Sequence, residues 1–394
     1  MITSKFNGER LKLARRFNAM SLLDLAEKLS ISKQMISKYE KNISPPGGEI
    51  MLQLEGVLGF PRKFYFEDDT VTDKVGNAYF RALAKTLKKD LEAQKLRLDF
   101  LSIIYQLINE YIDLPKENLP TLDVDNMSIE EMAVQAREFW GLEDKPIKNM
   151  VELLEVNGII VSTSRINVAE IDAYTQTRKI NGSDIYFVVL GNDKGSRYRR
   201  QFDAAHELAH ILIHEPYLDL STLSKDEERE MEQQANDFAS AFLLPKEPFI
   251  RDVSMFPIDL DHYVFMKKKW HVSVGVMIRR AYNLGVITFN QYSYLQRQMS
   301  KNGWRKKEPL DGQSKPTSPV LIKKSILTLL ENDVFDGNSI LEELSNEYQL
   351  SLREEMFEAL TGLEEGTLAK FRNDNSNVVL SLKRNANIRS NRTV

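Results

Sequence analysis

The chain has 394 residues and no cysteine, with 53 Lys and Arg against 57 Asp and Glu for a net charge of −4. Disulfides and thiolate-bound metals are therefore excluded, so any metal has to be held by His and carboxylates. No stretch reaches the ~20 apolar residues that span a bilayer. The start of the chain also lacks the basic-then-apolar order of a secretory signal. We therefore expect a cytoplasmic protein with no membrane partner, long enough for two or three domains.

The charge is unevenly spread. Residues 1–65 hold 11 Lys and Arg against 6 Asp and Glu, a surplus of +5 that leaves −9 on the remainder. A basic head on an acidic body suits a DNA-binding module joined to a second function.

From Asn7 to Phe66 the pattern is a run of short amphipathic helices, broken at Pro45 to Gly48 and stopped at Pro61. Leu25, Ala26, Leu29, Ile31, Ile36 and Tyr39 form one apolar set across two short helices and a tight turn. Ser32 can cap the second helix, which then presents Lys33, Gln34, Ser37 and Lys38 outward. Such a helix enters the major groove with its first residues near base edges. Lys and Gln suit guanine and adenine edges, and Lys also suits phosphate. One copy would bind weakly, so specific recognition implies a homodimer on paired half-sites.

The segment resembles the phage-repressor-like XRE helix-turn-helix family. That resemblance implies a double-stranded DNA operator as partner, read by Ser32, Lys33, Gln34, Ser37 and Lys38, with Glu40 as a structural Glu. Ser30 and Asn42 stand where the family usually has Gly, and Asn tolerates the left-handed conformation. The other reading is a protein-docking or dimerisation domain whose lysines are a solvated face.

The acidic stretch Glu67 to Asp69 marks a boundary. Leu83, Leu87, Leu91, Leu98, Leu101, Ile104 and Leu107 recur at helical spacing and predict one long helix from Ala78 to Ile112. Ser128 with Glu131 suits a capping box for a helix to Trp140, and another is predicted from Ile147 to Glu155. Ile, Val, Tyr and Phe content predicts strands from Gly158 to Ser162 and Asp184 to Leu190, with a turn at Gly182-Ser-Asp.

The next helix, Phe202 to His214, contains His206-Glu-Leu-Ala-His210. Two His four apart project from one helix face with Glu207 beside them, the spacing of a zinc peptidase. Catalytic zinc takes three protein ligands and keeps a position for water. The best third ligand is Glu232, 22 residues after His210 on a helix expected from Lys225 to Leu243. Glu230 points to another side of that helix. His214 lies about 12 Å from His206 along the axis, too far to share one ion with both. Glu207 would move the water proton to the leaving amine. Tyr174, Tyr186, His214, His262 and His271 all stay open as the oxyanion partner.

These residues, with Glu232-x-x-Ala-Asn-x-Phe-Ala, Leu243-Leu-Pro and His271-Val-Ser-x-x-x-x-Ile-Arg-Arg, resemble the ImmA/IrrE metallo-endopeptidases. The resemblance covers roughly Tyr79 to Lys306. It implies Zn2+ on His206, His210 and Glu232, Glu207 as catalytic base, and a small sheet around Asp172-Ala-Tyr and 184–190. It also implies a helix-turn-helix repressor as substrate, which here includes another copy of the chain.

Helices are predicted from Leu260 to Trp270 and Val274 to Leu284. Arg305 to Pro319 reads as a polar linker, Val320 to Phe371 as a small helical module, and the tail after Asn373 as mobile. The expected architecture is mostly α and multidomain. It comprises an all-α helix-turn-helix head (1–68), an α+β zincin-like peptidase domain with a small sheet (69–304), a linker (305–319), a helical module (320–372) and a tail (373–394). Two functions compete: a DNA-binding regulator with an active zinc endopeptidase, and a non-proteolytic XRE transcription factor or antitoxin whose peptidase-like fold senses or supports.

Overall fold

Four helices with strong local start signals build the N-terminal head: α1 (Gly8–Phe17), α2 (Leu22–Lys28), α3 (Lys33–Glu40) and α4 (Gly48–Leu58). Asn7, Ser21 and Ser32 each accept a backbone N–H of the helix that follows, and Ser21 forms a full capping box with Asp24. The expected apolar set is buried, and Ser30 (φ +55°) and Asn42 (φ +57°) both take the left-handed turn conformation. Gly8 is required by close approach, since a Cβ there would lie 2.3 Å from the Tyr39 carbonyl. Arg15 donates to both carboxylate oxygens of Glu40 at 2.6 and 3.0 Å, which ties α1 to the end of α3 inside the core. A 3₁₀ turn, Arg62–Phe66, closes the head.

The computed structural model describes residues 5–68, 75–80, 88–164, 173–191, 196–214, 223–313 and 315–372. After the head come β1 (Val75–Phe80), α5 (Lys88–Tyr111), α6 (Ile129–Phe139), α7 (Met150–Val156), β2 (Ile160–Ser164), β3 (Ala173–Ile180) and β4 (Ser183–Gly191). A helical run follows: α8 (Arg197–Ile213), α9 (Lys225–Leu243), α10 (Lys246–Val253), α11 (Leu260–Trp270), α12 (Val274–Asn283) and α13 (Phe289–Lys301). The C-terminal part holds α14 (Leu321–Glu331), α15 (Ser339–Tyr348), α16 (Glu354–Thr361) and α17 (Thr367–Lys370). The mostly helical α+β expectation is met. Among the described residues no helix is long and apolar enough to cross a membrane.

One expected helix is corrected. Ala78 lies in β1 and pairs with Gln176 of β3, and the long helix starts only at Lys88. Val75, Tyr79 and Phe80 are strand formers, and their pairing overrides the helical spacing that runs on from Leu91. Leu83, Leu87, Asp172 and the tail from Asn373 lie outside the described residues.

The sheet has the order β1-β3-β4-β2, with β2 parallel to β4 and the other pairs antiparallel. Asn181 (φ +50°) and Gly182 (φ +84°) make the tight turn between β3 and β4, so the turn precedes Ser183 rather than including it. Successive residues face opposite sides. Ile160, Tyr174, Phe187 and Val189 enter one core with α5, the head and the C-terminal helices. Val161, Ala173, Val188 and Leu190 enter a second core with α6 to α13. In the first core, Phe17 of the head stacks on Phe100 of α5 at 5.0 Å, and Glu67 accepts from Ser345 and Ser351.

The segment expected to be a polar linker is instead strapped down. Fully buried Lys267 donates to Glu308 and Asp311 at 2.7 Å each. Glu308 also accepts the first N–H groups of α12, and Asp311 accepts the hydroxyl of Ser196, the residue that caps α8.

At the end of α7, Glu155 accepts the N–H groups of Val320 and Leu321 and so caps α14. Burial pushes its carboxyl up to about 7, although those two N–H groups act the other way. Between the ordinary 4.5 and about 7 the folded chain holds a proton that the unfolded chain has lost. Stability should therefore fall as pH rises through that window, by at most about 3 kcal/mol. Denaturant titrations from pH 4.5 to 8 should show this slope, and Glu155→Gln should flatten it.

Candidate metal centre and nucleic-acid interface

α8 starts at Arg197, five residues earlier than predicted, because Tyr198, Arg200 and Gln201 are buried and extend the helical face. Small residues let α9 lie close: Ala204, Ala205 and Ala209 on one helix and Ala235 and Ala239 on the other are all buried. The two helices bring His206, His210 and Glu232 together, with one donor atom from each inside a 4.8 Å cluster.

The Nε2 atoms of His206 and His210 are 3.1 Å apart, and the Glu232 oxygens lie 3.4 and 3.6 Å from them. Two ligands bound about 2.0–2.1 Å from one tetrahedral ion sit about 3.3 Å apart. The donor set therefore fits a small divalent cation of the zinc type without rearrangement. Burial pushes the Glu232 carboxyl up, but hydrogen bonds and charge from both histidines outweigh it and hold the group far below the usual range. Glu230 is exposed and outside the cluster.

Glu207 is buried on the same turn. Thr175 of β3 donates its hydroxyl to one carboxylate oxygen at 2.6 Å. β3 thus supplies a residue that aims Glu207, which sequence reasoning missed. The signal was Asn181-Gly182, a hairpin dipeptide that implies a partner strand before it.

Of the five residues left open as oxyanion partners, His214 alone touches the cluster. Its Nδ1 lies 2.8 Å from Nδ1 of His210, and its Nε2 lies 3.2 Å from Oε1 of Gln234. Tyr174 faces α5 and donates to the Gln94 carbonyl, and His262 is bonded to the Asp252 carbonyl. Tyr186 sits near Glu117 and Asp184, while His271 is the left-handed cap of α11.

In the head, α3 packs on α1 and α2 with Ile36, Tyr39 and Glu40 buried. Lys33, Gln34 and Lys38 are exposed and Ser37 half-buried. Ser32 spends its hydroxyl oxygen on the Met35 N–H as helix cap.

Residues 154–282 match the peptidase family profile described as IrrE N-terminal-like domain, and residues 11–64 match the profile described as Helix-turn-helix. The chain joins a helix-turn-helix domain to an IrrE N-terminal-like domain. The matched peptidase segment contains His206, Glu207, His210 and Glu232. Uncharacterized HTH-type transcriptional regulators of Sinorhizobium medicae and Rhizobium meliloti are each 38% identical to this chain over 61 residues. That alignment spans 16% of this chain and 44% of each relative.

The histidine chain fixes a tautomer in the IrrE-like domain. The Gln234 oxygen can only accept, so Nε2 of His214 carries the proton. Burial first, then the neighbouring His210, pushes His214 down to about 4, so it is neutral near pH 7 and its Nδ1 accepts. His210 must then donate from Nδ1, which leaves its Nε2 lone pair directed at Glu232 and His206. Outer partners of this kind orient ligands and tune affinity. Gln234→Leu and His214→Phe should each weaken zinc affinity about 10–100-fold in a chelator competition. A Gln233→Leu control should leave it unchanged.

Proposed function

We propose that this protein is a DNA-binding transcriptional regulator whose IrrE-like domain is a zinc-dependent endopeptidase. The observation that supports this best is the convergence of His206, His210 and Glu232 on one point with Glu207 one residue away on the same helix. A zinc ion bound there supplies Lewis-acid activation of water and of the scissile carbonyl.

The remaining chemistry is assigned to the chain's own groups. Glu207, aimed by Thr175, takes a proton from water as its oxygen attacks the carbonyl carbon. It then delivers that proton to the amine nitrogen as the C–N bond breaks, and the second water proton follows, which gives a carboxylate and an ammonium group. The approach is from the Glu232 side, because the Glu232 side chain is 36% exposed whereas both histidines are buried. The substrate we favour is a helix-turn-helix repressor or a second copy of this chain, since the regulator and the peptidase domain share one polypeptide.

The second reading is a non-proteolytic regulator in which the IrrE-like domain senses or supports. One observation favours it: Glu207 is 1% exposed and already hydrogen-bonded by Thr175. Metal content and proteolysis separate the two. Purified protein should hold about one zinc per chain, as a three-ligand site would, and Glu232→Ala should lose it. Glu207→Gln should keep the zinc and lower peptide cleavage by at least about 10²-fold, the low end of acid–base contributions. Zinc-loaded protein that cuts no neighbouring repressor, nor itself, with Glu207→Gln indistinguishable from it, would leave the sensing reading.

For the head, α3 is proposed to read the major groove of a duplex operator with Lys33, Gln34, Ser37 and Lys38, while Ser32 holds the helix start beside the backbone. Two copies on paired half-sites would supply specificity. Lys33→Ala and Lys38→Ala should each reduce the slope of log affinity against log salt by about 1 if they touch phosphate. Gln34→Ala should instead cost about 1–3 kcal/mol on the specific site, with little change on random duplex.

A further inference from the structure

A cavity of about 850 Å³ lies on the face of the sheet opposite the metal centre. Its walls come from three parts of the chain: Phe17 of the head, Arg97 and Leu101 of α5 and Tyr174 of β3, and Met356 and Ala359 of α16. The volume is in the range of sites for small organic molecules, and the lining mixes apolar side chains with Arg97, Lys323 and the carboxylates of Glu355, Glu358 and Glu365, of which buried Glu358 is spent on the N–H groups of Gly366 and Leu368.

Arg97 is the unusual member. The buried arginines are held by oxygens: Arg10 by the Gln349 carbonyl, Arg15 by Glu40, Arg137 by the Phe242 and Glu143 carbonyls, Arg178 by Asp99, Arg200 by the Gly191 carbonyl, and Arg280 by Glu130. Among the described residues no carboxylate or carbonyl holds Arg97. Its guanidinium lies over the Phe17 ring at 5.5 Å. Burial lowers its pKa, with Tyr174 acting the other way. Lys323, also at the cavity, already has Glu364 at 3.5 Å. A half-buried guanidinium with five donors and no anionic partner among the described residues is costly unless something supplies one.

We infer that this cavity binds a small organic anion, with a carboxylate held by Arg97 and an aromatic or aliphatic body between Phe17, Leu101 and Met356. Such a ligand touches the head, α5 and α16 at once. It also lies against Tyr174, whose neighbour Thr175 holds Glu207 on the opposite face of β3. The site is therefore an effector site placed between the DNA-reading and metal-binding parts.

The test is calorimetric titration of the full chain with naphthalene carboxylate and, as a neutral match, naphthalene methanol. We expect one saturable site for the acid and at least about tenfold weaker binding of the alcohol, the size of one charge-assisted hydrogen bond. Arg97→Met should weaken the acid to the level of the alcohol. Ala359→Trp, which fills the cavity and keeps Arg97, should abolish binding of both. If Arg97→Met fails to fold, the acid-to-alcohol ratio and Ala359→Trp decide. No saturable binding, equal affinity for acid and alcohol, or unchanged binding in Ala359→Trp would overturn the assignment.

Discussion

The two-residue period of β3 and β4 is the constraint on which the rest of the molecule depends. Over 173–178 of β3 and 187–191 of β4 the strands are buried on both faces, so each side chain there belongs to one core or the other. Tyr174 goes to the α5 side and Thr175 to the α8 side. A slip of one residue would turn the phenol toward the metal cluster and the hydroxyl away from Glu207. The Asn181-Gly182 turn prevents that slip, because its two left-handed residues fix which positions face each other, down to Thr175 opposite Val188. Side-chain aim at the candidate metal centre is thus set by a turn six residues along the chain.

The elements that could be read in the sequence are those with local causes. Ser128 with Glu131 caps α6 as expected, and α9 and α11 run over the predicted residues. The candidate His206, His210 and Glu232 group was legible for the same reason: two His on one helix face and a Glu on the next helix need only helical periodicity to be brought together. β3 was legible only at its start, where the resemblance places sheet around Asp172-Ala-Tyr, because the burial of polar Thr175, Gln176, Thr177 and Arg178 has no local signal. They are buried, with Arg178 paired to Asp99 and bonded to Gln176. A polar group can be placed inside once its partner is present, and that partner sits on α5, far away in sequence. Gln234 and His214 escaped for a related reason, since their role appears only when α8 and α9 meet.

The strap at Glu308 and Asp311 shows how composition misleads. Residues 305–319 are polar and contain Pro and Gly, which argues for a free linker. The charges are instead spent on Lys267 and on the starts of α8 and α12. Buried ion pairs of this kind are weak evidence for stability, because desolvation offsets much of the attraction. Their value here is geometric. Asp311 reaches Ser196, so the helix that carries His206 and His210 begins where the strap is anchored, and the chain leaves from there toward α14.

The first core changes how the head should be understood. Phe17, Phe60 and Phe64 pack on Phe100 of α5, while Arg10 donates to the Gln349 carbonyl and Glu67 is held by Ser345 and Ser351. The head shares its apolar interior with α5, the sheet and the C-terminal helices, so it is not a bead on a flexible tether. α3 nevertheless packs chiefly on α1 and α2, which leaves Lys33, Gln34 and Lys38 on its outer face exposed. In the proposed DNA-bound state, a change in the shared core would therefore act by tilting the head as a unit, without reshaping α3. In the proposed dimer on paired half-sites, the two recognition helices would have to sit one helical turn of DNA apart, so a small rotation of each head would be enough to put them out of register.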